Sequence, residues 1–200
     1  SDKSVQTFYG IWDVSQLEKG RTNLAEQTLF PDDNTRTTNP FLEVCYESCV
    51  PRQYGWYIDL PADTGERVVS DAVARGDMVF FNTVIPTEDP CEYGGTGWSM
   101  SVQIKNGGSP TRPVVDQNND DVFNNDDMGS HVGDETTEVG YSGKKIEDDE
   151  GLPSGPAIVG DKLFTRGSTE SEQPKDTTLA PVTNSVPVGR LSWEQLFPSQ

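Results

Sequence analysis

The stretch Ser70–Thr83, SDAVARGDMVFFNT, restricts the possible folds of this chain more than any other. A β-branched and aromatic run is interrupted by Gly76-Asp77 and resumes at once. Gly accepts positive φ and Asp bonds its own backbone, so the pair makes a tight reversal and its flanks read as antiparallel strands. The neighbouring residues extend the pattern. GWYIDL (Gly55–Leu60) alternates as a half-buried strand and PADTGE turns. ERVVSDAV is then a second strand, MVFFNTVI a third and WSMSVQI a fourth. Val68, Val79, Phe81 and Val84 are the expected core residues. VQTFYGIWDV (5–14) reads as an opening strand and PVV (113–115) as a short one. Farther on, SGPAIVGDKLFTRG repeats the order of small-residue entry, apolar strand, Gly160-Asp161 turn and apolar strand. The echo follows at about 80 residues, a spacing open to a blade that carries an inserted loop.

Composition points the same way. With 32% apolar residues, 19 Gly and 14 Pro among 200 residues, any core is thin, which suits short strands and many turns. Meandering four-stranded units with Gly and aromatic motifs predict an all-β chain, a partial, modified β-propeller of antiparallel blades with long loops. A closed ring needs at least about four blades and two to three can be read here, so the chain is expected to be part of a propeller. A twisted sheet with loop-covered edges is the alternative. Within residues 1–200, strands are expected over 5–14 and 53–115 and a metal loop over 116–127. A flexible Gly- and acid-rich stretch is expected over 129–151, and a last hairpin and tail over 152–200, with linker composition in 167–187. Residues 15–39 promise at most a short helical turn or two, and 40–52 a surface loop pinned by cysteines.

The candidate metal loop is DQNNDDVFNNDD, Asp116 to Asp127. Asp116, Asn118, Asp120 and Asn124 occupy its first, third, fifth and ninth positions, Val122 offers a backbone carbonyl at the seventh, and Asp127 stands twelfth. That is the ligand register of an EF-hand-like calcium loop, and hard oxygen donors are what Ca2+ selects. Position six, normally Gly because the turn is sharp, is Asp121, a residue type that tolerates the left-handed conformation. The missing Gly weakens the match without excluding a site. Without metal, the same loop reads as a solvated Asx-rich turn.

Other functions are disfavoured. A net charge of −18, from 33 acidic against 15 basic residues, argues against nucleic acid and anionic membranes and suits calcium or a basic partner. No run is long enough to cross a bilayer and no signal peptide is recognisable. A first residue other than Met suggests a mature fragment. The carboxylates Glu66, Asp71, Asp77 and Glu147–Glu150 read as a solvated face, because His131 is the one histidine and lies in a Gly/Ser-rich loop; no catalytic site is expected. Gly94–Trp98, GGTGW, lacks the Lys and helix of a phosphate loop. Arg75-Gly76-Asp77 is an integrin-type tripeptide at an expected hairpin tip, where a turn would favour Gly-Asp in any case. Trp12, Trp56, Trp98 and Trp193 are expected in packing. Cys45, Cys49 and Cys91 lack zinc spacing and suggest one disulfide of undetermined pairing in an oxidising compartment.

FYGIWD, GWYIDLP, GERVVSDAVARGDMVFFNTVIPTEDPCEYGGTGW, the D-x-N-x-D loop and the closing GRLSWEQL, in this order, resemble the C-terminal region of the PilY/PilC family of type IV pilus biogenesis proteins and tip-associated adhesins. The resemblance implies a modified propeller with a surface calcium loop whose occupancy is tied to pilus extension and retraction in twitching motility, and a role in attachment. It implies pilus subunits or minor pilins, and a host-cell receptor, as partners. The expected location is extracellular, at the pilus tip or outer-membrane surface, after export through the periplasm. A dockerin-like interaction module, which needs two such loops on helical pairs, and a quinone-dependent dehydrogenase propeller are the competing readings.

Overall fold

The computed structural model describes residues 3–13, 20–46, 50, 52–87, 94–131, 134–146, 151–169 and 175–182. Strands dominate: β1 (Thr7–Ile11), β2 (Ala25–Gln27), β3 (Leu29–Pro31), β4 (Thr35–Thr38), β5 (Gly55–Asp59), β6 (Val73–Arg75), β7 (Met78–Pro86), β8 (Gly95–Gln103), β9 (Met128–His131), β10 (Asp134–Gly140), β11 (Gly143–Ile146), β12 (Ala157–Val159), β13 (Lys162–Thr165) and β14 (Lys175–Thr178). The helical segments among the described residues are single 3-10 turns at Arg21–Asn23 and Asn125–Asp127. No helix there is long and apolar enough to cross a membrane.

β7 is the axis of the fold. Met78 to Val84 are all buried, because the strand is covered on both faces and so reads as one apolar run. Its odd-numbered side chains, Val79 and Phe81, join Trp98, Met100 and Val102 of β8 against Phe8, Ala25, Trp56 and Ile58. Phe8 stacks on Phe81 with ring centroids 3.8 Å apart, and the Trp56 indole N–H donates to the Ile104 carbonyl at 2.8 Å. The even-numbered Met78 and Phe80 pack against Val114, Leu163 and Leu179. The six-stranded sheet β3-β4-β11-β8-β7-β6 is thus flanked by the three-stranded sheets β1-β5-β2 and β12-β13-β14, with β9 and β10 paired apart. Apart from the parallel pair β2 and β5, the ladders are antiparallel.

Both predicted Gly-Asp turns form. β6 and β7 reverse at Gly76 (φ 63°) and β12 and β13 at Gly160 (φ 64°). Val79, Phe81 and Val84 are buried, and Val68 packs against the same core. Several expectations are corrected. ERVVSDAV is not one strand: Arg67 makes an isolated bridge to Val84, and β6 begins only at Val73. PVV likewise gives a single bridge, Val115 to Leu179. Within the polar stretch 15–39 lie β2, β3 and β4. Residues 129–151, expected to be flexible, contribute β9, β10 and β11, and β11 lies inside the six-stranded sheet between β4 and β8. β4 and β11 lack an apolar period because they complete a sheet whose core side chains come from β7 and β8.

Candidate functional site: the acidic loop and its seat

The chain enters the loop from a bridge to the end of β14. The Ala180 N–H donates to the Val114 carbonyl at 2.8 Å and the Asp116 N–H to the Thr178 carbonyl at 2.9 Å. Asp116 is buried and acts as the hub of the loop. One carboxylate oxygen accepts the N–H groups of Asn119 (2.7 Å) and Asp120 (3.3 Å), and the other that of Asp121 (2.9 Å). Asn119 and Asp121 provide the sharp turn, with φ of 60° and 59°. Position six therefore has the left-handed conformation that its usual Gly would supply, at a cost an Asp can bear.

Asp127 closes the loop. Also buried, it accepts the Gln117 N–H at 2.7 Å and the Asn124 N–H at 3.2 Å. Asn124 caps the 3-10 turn by accepting the Asp126 N–H. Asp120 accepts the Val122 N–H at 2.8 Å and the Asn118 side-chain amide at 3.0 Å. Asp121 turns back to the seat, accepting the Thr178 hydroxyl at 3.0 Å, and that hydroxyl also accepts from Lys162 at 2.6 Å. The end of β14 thus forms the platform for the loop, with Lys162 of the echo hairpin supporting Thr178 from behind.

Two carboxylates buried in one loop are costly unless compensated, and backbone N–H donors compensate Asp116 and Asp127 here. The oxygens of Asp116, Asn118, Asp120, Val122, Asn124 and Asp127 form a hard donor set in calcium-loop register, and their chemistry fits Ca2+. Among the described residues, no three His, Cys, Asp or Glu side chains are grouped as a metal cluster, since the carboxylates are turned to amides.

The other candidates resolve differently. Arg75, Gly76 and Asp77 do form the β6–β7 turn, but the chain itself engages both charges. Arg75 donates to the Ala180 carbonyl at 2.8 Å and Asp77 pairs with Arg112 at 2.5 Å. Glu66, expected on a solvated face, is 1% exposed and bidentate to Arg36 at 2.6 and 2.8 Å. His131, expected in a loop, is on β9, buried, with Nδ1 3.1 Å from the Thr37 hydroxyl and its ring edge-on to Phe30. Trp56 and Trp98 are core residues. Trp12 is 40% exposed, against Tyr46 and Arg52. Cys49, Cys91, Glu147–Glu150 and Trp193 lie outside the described residues. The Arg36–Glu66 pair gave no sequence signal, because its partners are 30 residues apart in a polar and a turn segment.

Fold and loop together define an antiparallel all-β domain with an Asx-rich acidic loop docked on a sheet edge. No family model matches the sequence. The chain is 31% identical over 134 residues to the type IV pilus biogenesis factor PilY1 of Pseudomonas aeruginosa strain PAO1, an alignment that takes in 56% of this chain and 11% of that protein. It is 24% identical over 201 residues to the PilY1 homolog of Xylella fastidiosa, covering 98% of this chain and 15% of the relative. Among solved structures, the crystal structure of the P. aeruginosa PilY1 C-terminal domain superposes with a TM-score of 0.67 at 22% identity, over 92% of this chain and 38% of that one. The chain is thus similar in sequence to PilY1 proteins and shares the fold of the PilY1 C-terminal domain. It spans 11% to 15% of the length of these curated relatives.

Proposed function

We propose that this chain is a non-enzymatic, calcium-binding module of a type IV pilus biogenesis factor, and that its acidic loop regulates pilus extension and retraction. The observation that carries the reading is the conformation of Asp116–Asp127. Asp116 gathers three successive N–H groups while Asp121 adopts φ 59°, the backbone course that an EF-hand-like register requires. Relatives named as pilus biogenesis factors support the wider role. The ion would be held by Asp116, Asn118, Asp120, the Val122 carbonyl, Asn124 and Asp127. It would neutralise three carboxylates that otherwise repel one another and fix the loop against β14, which is how a bound cation becomes a contact switch.

In this reading the chain is part of a modified propeller, displayed at the pilus tip or outer surface and partnered by pilus subunits. Export suits a disulfide from Cys45 to Cys49 or Cys91. The dockerin-like alternative is weaker, because the loop ends in a single 3-10 turn, Asn125–Asp127, and strand β9 follows directly at Met128. Calcium calorimetry is the test. One site is expected in the wild type and none in Asp120→Ala, and a flat wild-type isotherm at millimolar calcium would overturn the proposal. In the full-length protein, replacing Asp116 and Asp120 is expected to alter twitching while leaving surface display intact.

A further inference from the structure

The positions of the acidic loop fall into two sets. At the ligand positions the side chains turn inward: Asp116, Asp120, Asn124 and Asp127 accept N–H groups of the loop itself, and the Asn118 amide donates to Asp120. Three intervening positions reach out to three different strands. At position two, the Gln117 carbonyl accepts from the Lys144 ammonium of β11 at 3.4 Å. At position six, the Asp121 carboxylate accepts the Thr178 hydroxyl of β14 at 3.0 Å. At position ten, the Asn125 side-chain amide donates to the Glu138 carboxylate of β10 at 3.0 Å. None of these three positions supplies a ligand in the calcium-loop register.

The contact at position six is the best supported. Lys162 donates to the same Thr178 hydroxyl at 2.6 Å and also faces Asp176 at 3.5 Å. A hydroxyl that accepts from a cation is polarised into a stronger donor toward Asp121. The Thr178 carbonyl meanwhile accepts the Asp116 N–H at 2.9 Å, so one residue of β14 fixes positions one and six together. They bound the sharp turn in which Asp121 adopts φ 59°. A Gly at position six would make that turn at lower backbone cost, but it could not make this bond.

We infer that Thr178, backed by Lys162, is a positioning residue for the calcium loop: it holds Asp116–Asp121 in the course that the ion requires and carries the loop's occupancy to β14. The inference rests on the calcium reading above and adds a route by which the effect of the ion leaves the loop. Preorganisation lowers the ordering cost of binding. By linkage, a contact that strengthens ion binding is itself strengthened by the ion.

The test is calcium calorimetry on the full chain. Thr178→Val keeps the β-branched shape and removes the hydroxyl; about a tenfold loss of affinity is expected, as for a hydrogen bond to a charged group. Thr178→Ser, which retains the hydroxyl, and Thr177→Val, on the neighbouring residue, are expected to bind as the wild type does. Asp121→Gly restores the usual residue at position six but cuts the contact, so it should bind more weakly than the wild type. In that background Thr178→Val should change affinity by less than about twofold, since its acceptor is gone. Calcium should slow hydrogen exchange at Leu179 and Ala180 in the wild type, and much less in Thr178→Val. Wild-type affinity in Thr178→Val, tighter binding by Asp121→Gly, an undiminished effect in the Asp121→Gly background, or wild-type exchange that ignores calcium would overturn the inference and leave the calcium reading standing. A flat wild-type isotherm would overturn that reading, and this inference with it.

Discussion

Arg36 and Glu66 form a bidentate ion pair sealed inside the six-stranded sheet, with side chains 4% and 0% exposed. The Thr83 hydroxyl adds a third bond to Glu66 at 2.6 Å, and the Arg36 guanidinium lies 3.7 Å over the Trp98 ring. The pair ties β4, from the polar N-terminal third, to the turn before β6 and to the central strand β7. Removing one partner strands a buried charge, so Glu66→Gln and Arg36→Met should each lower stability by about 3–5 kcal/mol. The Arg36→Met/Glu66→Gln double variant should lose less than the two singles summed. Urea denaturation of the four proteins measures this coupling.

Gly107 and Gly160 share a positive φ but differ in surroundings. A Cβ at Gly107 (φ 69°) would lie 2.5 Å from the Trp56 ring, whereas one at Gly160 (φ 64°) meets nothing within 4 Å. Gly107→Ala should therefore cost roughly 2–4 kcal/mol, from backbone strain and overpacking together. Gly160→Ala carries only the left-handed backbone term, roughly 1–2 kcal/mol. Thermal unfolding of both variants gives the comparison.

If the loop binds calcium, the ion should stabilise the fold by mass action. At a hundredfold excess over Kd the gain is about 2.7 kcal/mol, a rise of about 5–10 °C in Tm for a chain of this size, reversed by chelator. Asp121→Val, which places a β-branched residue at φ 59°, should weaken calcium binding by about tenfold or more through the cost of the left-handed conformation. Scanning calorimetry with and without calcium tests the first expectation, and calorimetric titration the second.

Tyr46 gives a specific alkaline signature. Burial pushes its phenol up to about 12, and the hydroxyl donates to the Lys105 carbonyl at 2.6 Å. Because the folded pKa lies above the unfolded value, the contribution is complete below about pH 10 and is lost as pH rises toward 12. Tyr46→Phe should flatten that part of the stability–pH curve while leaving neutral pH nearly unchanged, as urea midpoints measured from pH 8 to 12 would show.

The sequence alone settled what neighbouring residues control. Gly-Asp at 76–77 and 160–161 makes a reversal wherever it is placed, because positive φ at Gly and the Asp side chain act within a few residues. The left-handed turn at Asp121 was legible for the same reason, as were the buried Val79, Phe81 and Val84, whose run is apolar on both faces. Tertiary structure alone decided that TRTT of β4 and GKKI of β11 are strands inside a sheet. Neither segment carries an apolar period, and each becomes a strand by completing hydrogen bonds offered by a distant neighbour. Tertiary structure also decided that Glu66 is a buried ion-pair partner, and that the end of β14 is the seat of the acidic loop. Such pairings depend on sequence separations of tens of residues, where the free energy comes from burial and main-chain hydrogen bonding, and local residue type says little about which partners will meet.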